Sequence, residues 1–146
     1  MAQQVGSLGT VPAVNIGGYQ YPIPSGVTMI ALQGYVTANT YSAMRTGTVS
    51  TSYQVTAGKT FYVVAAIFMS VTGAPQMAIG SGTTDIGLNS AAAPTSFAGT
   101  VSEITVAGVG SKVEVPYMQT VTFAAARYPT LKCTGSGVAI VYGYEA

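Results

Sequence analysis

Residues 48–71 read TVSTSYQVTAGKTFYVVAAIFMSV, and their patterning decides the fold class. From Thr48 to Thr56, Val49, Thr51, Tyr53 and Val55 occupy one parity and Ser50, Ser52 and Gln54 the other. That period of two predicts a β-strand. Ala57-Gly58-Lys59-Thr60 then supplies a turn, in which Gly58 gives a permissive backbone and Lys59 faces solvent. From Thr60 to Val71 the apolar residues take both parities, with Phe61, Val63, Ile67 and Met69 on one face and Tyr62, Val64 and Phe68 on the other. A strand of that kind is covered on both sides.

Working outward, short β-branched and aromatic runs separated by Gly, Pro, Asn and Ser predict further strands. They fall at Val27 to Gln33, Gln76 to Gly80, Thr100 to Val106, Lys112 to Val115, Gln119 to Ala124, Thr130 to Cys133 and Ser136 to Tyr144. The class is all-β, and the strand number and spacing fit a single jelly-roll-like antiparallel β-sandwich over residues 27–146. A turn of helix has room only around Asn89 to Ala93, before Pro94, and the aperiodic stretch Gly80 to Gly99 reads as a long contact-bearing loop. Residues 1–26 mix Gly, Pro and Gln with isolated apolar residues, and Pro22 and Pro24 forbid a helix. This segment is expected to be an extended N-terminal arm lying along a partner.

The chain has 146 residues, enough for one sizeable core. Hydrophobic residues make up 49% and charged residues 6%, against roughly 25% charged in an average soluble protein. A surface so poor in charge predicts burial against neighbouring subunits. The five cations, Arg45, Lys59, Lys112, Arg127 and Lys132, are dispersed and the net charge is +1, so neither nucleic acid nor an anionic membrane is an expected partner. The apolar stretch Phe61 to Met69 falls short of the ~20 residues of a membrane helix. Met1-Ala2-Gln3-Gln4 lacks the cationic start of a secretory signal, which predicts synthesis and folding in a cytoplasm.

The chain contains no histidine, so Ser-His-Asp and Cys-His catalysis and imidazole metal sites are excluded. The carboxylates Asp85, Glu103, Glu114 and Glu145 are dispersed, and Asp85 alone gives Gly80-Ser81-Gly82-Thr83-Thr84-Asp85 a thin basis for calcium. Ala57-Gly58-Lys59-Thr60 is similar to the end of a phosphate-binding loop, but Tyr53 stands where that motif needs its first glycine, and a strand follows where it needs a helix. Cys133, the single cysteine, reads as a strand thiol of the core. No catalytic residue, metal or cofactor is expected, and the chain reads as a non-enzymatic module.

Contact residues are a different matter. The ten tyrosines, without any tryptophan, suit interfaces and saccharide platforms alike. The expected protein-protein contacts are Val5, Leu8, Val11, Val14, Ile16, Tyr19 and Tyr21 in the arm, and Tyr35, Tyr41 and Tyr117 in loops.

Val55-Thr56-Ala57-Gly58-Lys59-Thr60-Phe61-Tyr62-Val63-Val64 and the ending Thr134-Gly135-Ser136-Gly137-Val138-Ala139-Ile140-Val141-Tyr142-Gly143-Tyr144-Glu145 resemble the small jelly-roll proteins of tailed-bacteriophage virions. The resemblance spans residues 48–145 and leaves the arm uncovered. It implies a capsid decoration or cement protein in the virion, a homotrimer whose partners are itself and the major capsid protein or another virion protein, and it transfers no catalytic residue. The alternative is a phage fibre or carbohydrate-binding module that uses tyrosines and the Gly80 to Gly99 loop.

Overall fold

The computed structural model describes residues 12–37, 40–47, 51–99 and 104–146; among them are thirteen β-strands and no helix. In chain order these are β1 (Ala13–Ile16), β2 (Tyr19–Pro22), β3 (Ile30–Val36), β4 (Tyr41–Ala43), β5 (Arg45–Thr46), β6 (Phe61–Thr72) and β7 (Gln76–Gly82). They continue with β8 (Ala98–Gly99), β9 (Ile104–Thr105), β10 (Lys112–Val115), β11 (Val121–Phe123), β12 (Tyr128–Cys133) and β13 (Ser136–Glu145).

Six antiparallel pairings generate the architecture: β3 with β13, β4 with β12, β6 with β10 and with β11, and β7 with β8 and with β9. This ribbon of pairs wraps so that β13 also pairs β6 and β12 also pairs β7. One sheet then runs β10-β6-β13-β3-β5, with β11 beside β6, and the other runs β4-β12-β7-β8, with β9 beside β7. That order is the jelly-roll winding of a two-sheet sandwich.

Between the sheets, Leu32, Val36, Phe61, Val63, Ala66, Phe68, Ala139 and Val141 of the first meet Met77, Ile79, Leu131 and Cys133 of the second. In β6 the inward residues change parity. The register with β13 passes from Ala65↔Tyr142 to Val63↔Gly143, so Val64 is an extra residue, a β-bulge. The bulge puts Phe68 with Phe61 in the core and turns Ile67 outward, which corrects the face assignment made from simple alternation. Two-sided burial of this strand is observed.

A second, smaller core covers the outer face of the first sheet. Ile16 and Tyr21 are buried there with Val64, Ala65 and Tyr144, and Val14, Ile23, Val27 and Met29 pack around them. The segment expected as an extended arm is, over residues 13–22, a hairpin. Its turn is Gly17-Gly18, whose φ values of 59° and 90° suit the two-residue hairpin turns that demand a left-handed backbone, and Gly18 N donates to Asn15 Oδ1 at 3.2 Å. Pro12 and Pro22 lie at the open end, where Ile23 N still donates to the Pro12 carbonyl at 2.9 Å, so the prolines exclude a helix without excluding a strand.

The outer face of the second sheet carries small side chains, and Ala43, Ala78 and Thr130 are buried there beside Gly80 and Gly82. The loop of residues 83–97 lies over it. Ala43 N donates to Gly87 O at 2.9 Å, Tyr41 and Ser90 exchange backbone hydrogen bonds at 2.9 and 2.6 Å, Phe97 meets the Tyr41 ring edge-on, and Pro94 sits against Gly82. No helix forms at 89–93. Residues 51–56, expected as a strand, join no sheet; they cross between elements, with Tyr53 N donating to Met44 O at 2.7 Å, Val55 N donating to Arg127 O at 2.9 Å and Val55 O accepting from Ala126 N at 2.9 Å. Thr48 to Ser50 and Thr100 to Glu103 lie outside the described residues.

Close approach of β13 to β6 depends on Gly143, where an added Cβ would lie 2.3 Å from the Tyr62 carbonyl oxygen and 2.4 Å from Phe61 Cε1. Gly143→Ala is expected to lower stability by about 1–3 kcal/mol in urea unfolding. A loss below ~0.5 kcal/mol would mean that the two strands separate freely there.

Candidate functional site

Polar chemistry collects at three places. The first ties the Gly58 turn to β13. Glu145 Oε2 accepts hydrogen bonds from the Tyr53 hydroxyl and from Thr56 N, the latter at 2.9 Å. Thr60 and Ala146 exchange backbone hydrogen bonds at 2.9 and 3.0 Å, and Lys59 N donates to Thr56 O at 3.0 Å. Burial alone would raise the Glu145 pKa, but the donors Tyr53 and Thr56, with the Lys59 charge, outweigh it and hold the carboxyl below its ordinary value. The Tyr53 hydroxyl is pushed up, first by burial and then by its bond to Glu145. This turn is therefore a staple, with its lysine beside a carboxylate.

The second place is a cleft of about 420 Å³ between the end of β7 and β11. Arg127 projects into it, donating through Nε to Ser81 Oγ at 2.9 Å and through Nη2 to the carbonyls of Ser81 at 2.8 Å and Ser96 at 2.5 Å. The guanidinium joins the sheet, the covering loop and the turn after β11. Among the described residues the side-chain partner of Ser81 Oγ is the Arg127 guanidinium.

The third is a groove of about 410 Å³ lined by Tyr19, Gln20, Tyr21, Glu114, Pro116 and Met118. Its construction follows from the Val64 bulge. Opposite the bulge the ladder along β6 is interrupted between its β10 and β11 partners, and the connecting turn donates from Met118 N to Val64 O and from Gln119 N to Val63 O, both at 2.9 Å. Met118 and Gln119 take φ values of 53° and 63° in that turn. Met118 is left 44% exposed, while Gln119 Nε2 reaches Pro22 O at 3.3 Å and holds the hairpin. Tyr21, buried, donates its hydroxyl to Glu114 Oε2. Gly17 makes room for the same carboxylate, since a Cβ there would lie 2.0 Å from Glu114 Oε1. Tyr19, on the adjoining strand position, is 66% exposed.

Of the residues expected to make contacts, Val5, Leu8 and Val11 lie outside the described residues. Ile16 and Tyr21 are buried within the chain and Val14 packs against them. Tyr41 is half-buried against Phe97, and Tyr117 is half-buried against the main core. Tyr35, 38% exposed, stands on the open face of β3, away from the groove, and only Tyr19 is both exposed and part of it. Glu114, Pro116 and Met118 were not anticipated, because nothing local in the sequence marks them. Cys133 is buried in the core, with its thiol pushed up by burial. Among the described residues no group of Cys, Asp and Glu gathers that could hold a metal ion.

No family model, no characterised protein and no solved structure matches the chain.

The groove has a signature in alkali. The bond to Glu114, followed by burial and by the carboxylate's charge, pushes the Tyr21 hydroxyl up to about 12 from its ordinary 10.0. A folded-state pKa above the unfolded one gives stability that is present below pH 10 and lost as pH rises through about 12. The urea midpoint of the native chain should exceed that of Tyr21→Phe at neutral pH, by about 1 kcal/mol in stability, and the gap should close across that window. A gap that stays constant would show that the hydroxyl does not hold the hairpin. In acid the sign reverses: the part of stability owed to Glu145 is present above its ordinary 4.5 and is lost as pH falls through its lowered value, so Glu145→Gln should flatten the acid limb.

Proposed function

We propose that this chain is a non-catalytic jelly-roll subunit that works by docking onto other protein chains, as a decoration or cement protein of a virion shell. The single observation that carries the docking is the groove beside the hairpin, where an exposed tyrosine and an exposed methionine flank a carboxylate. Tyr and Met are enriched where proteins meet. The virion setting comes from the likeness of residues 48–145 to tailed-phage jelly-roll proteins. The polar side chains elsewhere are consistent with a structural role, since Glu145 and Arg127 are committed to holding loops.

A narrower contact replaces the broad one that the scarcity of charge suggests. Part of the apolar content is buried in the second core beneath the hairpin, so docking is concentrated on the groove and on whatever residues 1–11 add. The alternative, a fibre module that binds glycans, draws on Tyr19, Gln20 and Glu114, an aromatic ring beside an amide and a carboxylate. The loop of residues 83–97 offers it less, since Phe97 and Pro94 pack inward.

Light scattering across a concentration series, followed by sedimentation with shells prepared without this protein, tests the proposal. A trimer that sediments with the shells is expected. A variant lacking residues 1–11 should attach to the shells more weakly; removing the hairpin as well would uncover Val64, Ala65 and Tyr144. A chain that stays monomeric and remains in the supernatant would remove the shell reading, and a signal on a glycan array would put the alternative in its place.

A further inference from the structure

We infer that the groove between the β1–β2 hairpin and the β10–β11 turn receives an arginine side chain carried by an extended segment of a different protein. This names the partner chemistry of the docking proposed above and rests on that reading.

The argument begins with Glu114. Its carboxylate accepts one hydrogen bond, from Tyr21, and among the described residues no lysine or arginine pairs with it. A carboxylate has about four acceptor directions. Those left over belong to a group that lines the groove and is half-buried, where a charge is screened less than on an open surface. The groove therefore has an uncompensated negative centre. Lys112, two positions along β10 on the same face, is exposed and does not pair with it.

The second feature is the ring of Tyr19. It is 66% exposed and has no ring partner among the described residues, so its face is available. An aromatic face beside a carboxylate is the pairing that a guanidinium satisfies: its planar fork donates two parallel bonds to the oxygens, and its flat face stacks on the ring. An ammonium gains only a point contact and gives up a stronger hydration shell. Pro116 and Met118, both exposed, form an apolar rim along which the three-carbon stem can lie, and the thioether adapts to its shape. The Gln20 amide can hold the backbone on either side of the arginine.

The arginine has to come from elsewhere. This chain has two, Arg45 and Arg127. Arg127 is held by Ser81 and Ser96, and Arg45 is half-buried with a partner inside the chain. A second copy has no arginine to offer, which selects a partner of different sequence.

The test is a titration of the intact chain with Nα-acetyl-arginine methylamide, followed by amide proton-nitrogen correlation spectra. The lysine counterpart and N-acetylglucosamine serve as parallel probes. Saturable shifts confined to Tyr19, Gln20, Glu114 and Met118 are expected, in the millimolar range, with the lysine compound weaker. Glu114→Gln keeps an acceptor for Tyr21 and removes the charge, and it should abolish the response in a chain whose spectrum is otherwise native. Tyr19→Ala, at an exposed position, should weaken binding about two- to fivefold, the worth of an exposed cation–π contact. Absence of localised shifts, an equal response to lysine, a response that survives Glu114→Gln, or saturation by the sugar alone would each overturn the inference. Because this uses the isolated chain, arginine binding without attachment to shells would leave the groove standing and remove only the shell reading.

Discussion

The antiparallel pairing of β6 with β13 is the constraint on which the rest of the molecule depends. These two strands run side by side from Phe61↔Glu145 to Thr72↔Ser136, and apolar residues project from both faces of the ladder. Burying a side chain such as Phe68 or Val64 stabilises by about 1.5–3 kcal/mol relative to leaving it in water. Phe61, Val63, Ala66 and Phe68 on one face therefore require a cover, and Val64, Ala65, Tyr142 and Tyr144 on the other require a second. The opposing sheet provides the first and the N-terminal hairpin provides the other. Each remaining element either extends this pair, as β3, β10 and β11 do, or roofs it.

The shortage of charge takes on a different meaning in this light. A chain with 49% hydrophobic residues buries them here in two cores, one between the sheets and one beneath the hairpin. The hairpin and the loop of residues 83–97 fold onto the two outer faces, and Tyr19, Tyr35, Val71, Val109 and Met118 are the exposed large hydrophobic side chains among the described residues. Val71 and Val109 lie on the two segments of the far tip that are tied where Ser70 bonds both Ser111 and Gly110. Tyr19 and Met118 flank Glu114 at the opposite end of β10.

Much of the fold could be read from the sequence because strand periodicity is a local property. The strands β6, β7, β10, β12 and β13 fall where alternation and turn residues place them, and the two-parity run from Phe61 correctly implies cover on both sides. The errors arise where a distant partner decides. Gly17-Gly18 between Ile16 and Tyr19 is a hairpin signal, but Pro22 and Pro24 argue more loudly for an extended arm. Thr48 to Thr56 has good alternation, yet over residues 51–56 it finds no strand to pair with, since Glu145 and the Arg127 carbonyl claim its polar groups one at a time. The bulge at Val64 leaves no trace in composition. The groove was least visible, because Tyr21 and Glu114 are 93 positions apart and meet only after the hairpin has docked.

Two-sided burial also carries a topological risk. In an ordinary strand a slip of one residue exchanges apolar for polar positions and is rejected at once, but β6 presents apolar side chains either way and cannot police its own alignment by hydrophobicity. Alignment has to be encoded in shape. Gly143 admits the Phe61 ring and Gly137 admits the Met77 thioether, at positions where an added Cβ would lie 2.4 and 2.8 Å from those side chains, and both glycines adjoin irregularities in the ladder. A slipped pairing would set Tyr142 or Val138 against those same side chains and find no space. The two glycines thus act as notches in a key, and it is steric exclusion, more than affinity, that selects among the ways this strand pair could zip together.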